Sequence, residues 1–182
     1  KLVAITHMSN VLGTRVDVKK ICNAAKSRDI PVLIDGSQAA VHLPVDVQDI
    51  GCDFYAITGH KLYGPTGIGV LYGRYEILDE MPPFLGGGDM IDIVKINQST
   101  YADPPLRFEA GTPPIVEAIA LGEAIDWVIE TGIDRIGKHE KNVISYGMSI
   151  LSSIEGVNIF GTAPNKTGVI SFTMDCAHSH DI

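Results

Sequence analysis

At 182 residues, with 45% apolar and 20% charged side chains, the chain is long enough for a globular core and too apolar for disorder. A net charge of −8 argues against a nucleic-acid surface, which needs clustered Lys and Arg, and no apolar run approaches the ~20 residues of a membrane span. Cys22, Cys52 and Cys176 are scattered, without CxxC or metal-ligand spacing, so no metal site is expected and a reducing, cytoplasmic compartment is.

Leu2 to Thr6 is a short apolar run that reads as a buried strand. Asp17 is placed to cap a helix in which Val18, Ile21, Cys22 and Ala25 share one face. Pro31 opens the next strand, Val32-Leu33-Ile34, which Asp35 and Gly36 end. Asp53 to Thr58 and Gly69 to Tyr72 read as further strands, and Arg74 to Glu80 as a short helix stopped by Pro82-Pro83. These strands are almost continuously apolar, which predicts a sheet covered on both faces. Phe84 to Pro114 reads as one long irregular stretch, of the kind that serves function or an interface. Helices follow over Ile115 to Glu130 and Ile133 to Ile154, separated by Thr131-Gly132, and the second is long enough to link two lobes. Val157 to Phe160 and Val169 to Met174 are strands of a smaller unit. The chain begins without Met inside an apolar run and stops at His178 to Ile182 in what reads like the start of a helix, so both ends look cut.

The segment richest in chemistry is Thr58-Gly59-His60-Lys61-Leu62-Tyr63-Gly64-Pro65-Thr66-Gly67-Ile68-Gly69. It puts a lysine at the end of an apolar strand, inside a glycine-rich turn that lets backbone approach a ligand closely. A lysine held out of water there gives up its proton more easily and can attack an aldehyde. The hydroxyl and imidazole just before it suit a phosphate. The turn is neither a Walker loop nor GxGxxG, and taken alone a solvated lysine in a plain turn fits it as well. The second element, Ile34-Asp35-Gly36-Ser37-Gln38, sets a carboxylate at the carboxyl end of a buried strand, the edge where open α/β sheets bind ligands. Alone, Asp35 could equally cap the following turn. A strand-end Asp followed 26 residues later by a strand-end Lys is a rarer combination. It matches what pyridoxal phosphate (PLP) needs: an amine for its aldehyde and a carboxylate against its pyridine nitrogen.

These blocks resemble the class V aminotransferase superfamily of fold type I, and within it they look most like the SufS-type (group II) cysteine desulfurases, also called selenocysteine lyases. Ser9 to Thr14, Phe84 to Ile91 and Arg107 to Pro114 add to the match in the same order, so the resemblance runs over nearly the whole chain. It implies an α/β fold: part of a large PLP-binding domain with a mostly parallel sheet over residues 1–132, then the linking helix and the start of a small C-terminal domain over 133–182. It also implies roles. Lys61 would hold the cofactor as a Schiff base and later move the Cα proton. Asp35 would pair with the pyridine nitrogen, Gln38 with the phenolic oxygen, and Thr58 and His60 with the phosphate. Asn10 would lie near the cofactor oxygen and the substrate carboxylate, and Thr112 would reach the phosphate of the neighbouring subunit in a homodimer.

The implied reaction takes L-cysteine, or L-selenocysteine, to alanine, passing the sulfur to an enzyme thiol and then to an acceptor protein for iron–sulfur assembly. Three family features have no match here: the Arg-x-Gly-x-x-Cys loop bearing the sulfur-accepting cysteine, the ring-stacking histidine and the carboxylate-binding arginine. Cys22 and Cys52 read as small core residues, and His7, His42 and His139 as structural or solvated. Two alternatives stay open: another class V reaction, such as transamination or a kynureninase-like cleavage, and a cofactor-free fold acting as a binding module.

Overall fold

In the computed structural model, which describes residues 1–182, the first four strands form one sheet in chain order: β1 (Val3–Thr6), β2 (Val32–Asp35), β3 (Phe54–Thr58) and β4 (Gly69–Gly73). The first three are parallel, with Thr6 beside Asp35 and Asp35 beside Ala56. Their carboxyl ends therefore share one edge. β4 returns antiparallel on β3, with Thr58 opposite Gly69. Two backbone bonds carry the ladder past the strand ends: His7 N–H donates to Asp35 O (2.8 Å) and Gly36 N–H to Ala56 O (2.9 Å).

The core lies between this sheet and two helices, α1 (Val18–Lys26) and the single turn α3 (Val47–Ile50), which follows a second single turn, α2 (Ala39–His42). Val18, Cys22 and Ala25 of α1 pack on Val32, Ile34, Ile50, Cys52 and Tyr55. Burial of Val18, Val32, Ile34 and Ile50 stabilises the fold by about 1.5–3 kcal/mol each. Asp17 caps α1 by accepting from Lys20 N–H, and Asp46 caps α3 by accepting from Gln48 and Asp49 N–H. Gly51, at φ +73°, ends α3 in the left-handed conformation that favours glycine.

Beyond the sheet come α4 (Tyr75–Glu80), the hairpin β5 (Ile91–Val94) with β6 (Ser99–Tyr101), α5 (Ile115–Thr131), α6 (Ile133–Leu151), and the antiparallel pair β7 (Val157–Phe160) with β8 (Ser171–Met174). Gly132, at φ +87°, breaks the helical path between α5 and α6. Half-buried residues of α6 recur at Ile136, Glu140, Ile144 and Met148, one stripe along a 3.6-residue helix. A strap before β8 ties the smaller pair to the main sheet, since Arg15 N–H donates to Asn165 O and Thr167 N–H to Gly13 O.

Several expectations change. The stretch Phe84 to Pro114 is not wholly irregular, because Ile91 pairs with Tyr101 and Val94 with Ser99 in a hairpin whose alternation is too short to stand out. The main sheet is not covered on both faces within this chain: β1 alternates half-buried and exposed residues, and Gly69 to Leu71 of β4 are exposed. The single turns α2 and α3 span four residues each, too few to show a helical period. His178 to Ile182 forms a turn rather than the start of a helix.

Candidate active site

The shared carboxyl edge of β1, β2 and β3 gathers most of the residues singled out from the sequence. Adjacent parallel strands stand about 4.8 Å apart, so the chain positions at the ends of β2 and β3 are close neighbours across the sheet. Asp35 closes β2 and is exposed. One of its carboxylate oxygens accepts from Ser37 N–H at 3.0 Å, which fixes the turn, and the other has no partner in the chain. Asp35 thus caps a turn and still presents a free anionic oxygen.

Gln38 follows that turn at the N-terminus of α2, half-buried. Thr58 closes β3, and its hydroxyl is hydrogen-bonded to Nδ1 of His60 at 2.9 Å. The two groups are therefore paired in advance, with the His60 ring exposed. Lys61 is half-buried, so this chain alone does not take it fully out of water, and its ammonium makes no hydrogen bond or ion pair with the rest of the chain. Asn10 is exposed on the turn after β1, where Ser9 Oγ accepts from Leu12 N–H at 3.0 Å. Thr112 is exposed on the segment leading into α5, away from these strand ends in sequence, and makes no hydrogen bond within the chain.

The Lys61 turn is rigidly built. Gly59 N–H donates to Ile68 O, and Gly59 O accepts from both Leu62 and Gly64 N–H. Tyr63 takes φ +56°, rare for a residue with a side chain, and sets its ring edge-on to Trp127 at 5.0 Å. A Cβ on Gly64 would stand 2.9 Å from Leu121 Cδ1, so α5 backs the turn closely. Trp127 and Leu121 carried no signal of this role in the sequence.

Beneath the edge, the buried Tyr55 and the half-buried His7 form a pair, with the phenol oxygen 2.9 Å from His7 Nδ1. Burial pushes the Tyr55 phenol up, and burial with the nearby Arg15 guanidinium pushes the His7 imidazole down, so both are held neutral. His42, expected to be structural or solvated, is buried and joins Gln38 to Glu140. Gln38 and His42 stand four residues apart, one helical turn, which was the only sequence hint of the contact.

The donor set fits PLP: a lysine amine without a partner, a carboxylate oxygen without a partner on the neighbouring strand, an amide, and a hydroxyl–imidazole pair beside the lysine. No group of three His, Cys, Asp or Glu is placed to hold a metal, and no helix is long and apolar enough to cross a membrane. Cys22 and Cys52 are buried in the core, and burial raises both thiols, Cys52 to about 11. Cys176 is exposed after β8. A cleft of about 590 Å³ borders the edge only at His7, continues along Arg15, Asp17, Pro44 and Asp49, and is lined by none of Asp35, Gln38, Thr58, His60 or Lys61. The chemistry sits instead on the open edge.

Known proteins resemble the chain over its whole length. The family model for aminotransferase class-V matches residues 1–182. A protein of Xylella fastidiosa named "probable cysteine desulfurase" is 51% identical over 182 residues, covering 100% of this chain and 44% of its own length. The solved cysteine desulfurase of Thermococcus onnurineus superposes with TM-score 0.95 at 38% identity, covering 100% of this chain and 46% of that one. The cystine C–S lyase C-DES, solved with glycine covalently linked to its PLP cofactor, superposes with TM-score 0.86 at 26% identity over 96% of this chain and 47% of its own. The chain thus spans less than half the length of the relatives it matches. With its α/β fold and mostly parallel sheet, it belongs to the aminotransferase class-V family.

Proposed function

We propose that the full-length protein is a PLP-dependent cysteine desulfurase of the SufS type, in which residues 1–132 carry most of the cofactor site and residues 133–182 begin the small domain. The observation that supports this most is the partnerless Lys61 ammonium beside the paired Thr58 and His60, one strand over from the free Asp35 oxygen. Cysteine as substrate rests on the desulfurase relatives.

PLP, when bound, supplies an electron sink for charge that develops at the substrate Cα. Asp35, through its free oxygen, would face the pyridine nitrogen and would favour a proton there. Thr58 and His60 hold the phosphate, His60 turning outward with its Nδ1 anchored to the Thr58 hydroxyl. Gln38 would donate its amide to the phenolic oxygen, and Asn10 would serve that oxygen and the substrate carboxylate. Lys61 would hold the cofactor through its amine and would carry the proton taken from the substrate Cα. A thiolate from a cysteine outside residues 1–182 takes the substrate sulfur: the C–S bond breaks, an S–S bond forms, and alanine leaves with the protons restored.

Thr112 completes the phosphate site of a second subunit in a homodimer. The exposed apolar residues Phe84, Val94, Ile96 and Val116 give such an assembly surface to cover. Selenocysteine as a further substrate, a sulfur-acceptor protein, a role in iron–sulfur assembly and a cytoplasmic location complete the proposal. The test is to give the full-length protein L-cysteine with a thiol reductant and measure alanine and sulfide in equal amounts, with Lys61→Ala as control. Absence of alanine, or a Lys61→Ala variant as active as the parent, overturns the assignment.

A further inference from the structure

His42 is a buried imidazole, 8% exposed, with both ring nitrogens engaged. Its Nδ1 lies 2.8 Å from each carboxylate oxygen of Glu140, on α6, and its Nε2 lies 3.1 Å from the side-chain nitrogen of Gln38. A carboxylate only accepts, so Nδ1 carries the proton, and Nε2 offers its lone pair to a Gln38 N–H. The chain of bonds runs in one direction, from Gln38 to His42 to Glu140. It fixes which end of the Gln38 amide points inward. The second N–H of that amide has no partner in the chain and remains to donate.

Without an acceptor at His42, the Gln38 amide is free to turn over and present its oxygen, a like-charged neighbour for an anionic phenolic oxygen. The seat of His42 is tight. A Cβ on Gly168, in the strap before β8, would stand 2.7 Å from His42 Nε2, and one on Gly137 of α6 would stand 3.1 Å from His42 O. Glycine at both places lets the strap close on the ring and α6 close on the backbone of His42. The other charged groups bordering His42 face the neighbouring cleft: Arg15, Asp134, Lys138, Lys141 and Lys166.

We propose that His42, held by Glu140, is a positioning residue that sets the polarity of the Gln38 amide at the cofactor edge and ties it to the seat of α6. This rests on the reading of Gln38 as the partner of the phenolic oxygen. A buried histidine with only a packing role would account for the burial, but it would leave the behaviour of the cofactor edge unchanged when replaced.

The experiment is a pH titration of the visible absorbance of the full-length, PLP-loaded protein without substrate. A donor at the phenolic oxygen lowers the midpoint, so Gln38→Leu is expected to raise it by about one pH unit. His42→Leu is expected to raise it by about half a pH unit, and His42→Gln, which keeps an acceptor near Nε2, to return it close to the parent. If Gln38→Leu shifts nothing, the reading of Gln38 fails and the proposal with it. If Gln38→Leu shifts the midpoint while His42→Leu lowers only the melting temperature, Gln38 stands and His42 is merely structural. Nitrogen-15 NMR of the unsubstituted, cofactor-free protein decides without any variant. The proton on Nδ1 of His42 supports the proposal, and a proton on Nε2 in place of Nδ1 overturns it.

Discussion

Tyr55 lies directly under Gly36, its ring filling the place where a side chain at residue 36 would begin, since a Cβ there would stand 1.9 Å from the ring's Cε1. The ring is 1% exposed and its hydroxyl is held by His7, so it has little room to retreat. Gly36 also follows Asp35 immediately, which makes the packing of a buried tyrosine a constraint on the carboxylate. Gly36→Ala is therefore expected to cost about 1–3 kcal/mol of stability through overpacking. It should also weaken PLP binding by displacing Asp35. Urea denaturation and a cofactor titration of the full-length protein check both, and a change under about 0.5 kcal/mol would show that Tyr55 moves aside freely.

Asp35→Asn separates the two jobs of that carboxylate. The amide oxygen can still accept from Ser37 N–H, so the turn and the stability should survive. If Asp35 pairs with the pyridine nitrogen as proposed, its charge there is gone, and the rate should fall by about three powers of ten because an unprotonated ring is a poor electron sink. PLP binding itself is expected to persist. A loss below about tenfold in alanine formation would make Asp35 a turn residue only.

The Asp35 and Lys61 positions were legible because each breaks a rule at a strand end: a charge where an apolar run stops, beside turn glycines. The parallel strands up to Thr58 were legible for the same reason, since Val32 to Ile34 and Phe54 to Ile57 stay apolar without alternation. The β5–β6 hairpin was not, because Ile91 to Val94 and Ser99 to Tyr101 are short and their residues mostly exposed, leaving no buried face to impose a period. The backing of the Lys61 turn by Trp127 and the link from Gln38 to Glu140 join residues 64 and 102 positions apart. Contacts of that kind depend on how α5 and α6 pack, which no local pattern encodes.

Alkaline pH should destabilise the core by ionising groups that the fold keeps neutral. Burial raises the thiols of Cys22 and Cys52, Cys52 from an ordinary 9.0 to about 11, and raises the Tyr55 phenol as well. Each is an acid whose neutral form the fold prefers. Their contribution is fully present below about pH 9 and is lost as the pH rises through the folded-state values, toward about 11 for Cys52. Urea midpoints measured from pH 8 to 11 should fall in the parent and fall less steeply in Cys52→Ala. Parallel curves for the two proteins would count against a buried, neutral Cys52.

None of the three cysteines in residues 1–182 is expected to be the sulfur acceptor. In the proposed reaction a persulfide forms only when a thiolate reaches a substrate sulfur held near Lys61, and misplacement by an ångström costs orders of magnitude in rate. Cys22 sits on α1 facing Val32 and Ile34, and Cys52 lies beneath β3 in the same core, both kept as thiols by burial. Cys176 is free and exposed, so it is the one resident thiol with access to solvent. It follows β8, in the smaller strand pair, within the turn closed by Met174 and Ala177. In the full-length protein, Cys22→Ala and Cys52→Ala should lower stability through lost packing, and Cys176→Ser should be neutral. All three should leave alanine formation within about twofold of the parent, a factor worth under half a kcal/mol of barrier. Trapping the persulfide on the enzyme with an alkylating reagent and mapping the modified peptide gives the direct answer. Label on a peptide outside residues 1–182 supports the proposed division of labour, whereas loss of the persulfide in Cys176→Ser would make Cys176 the acceptor.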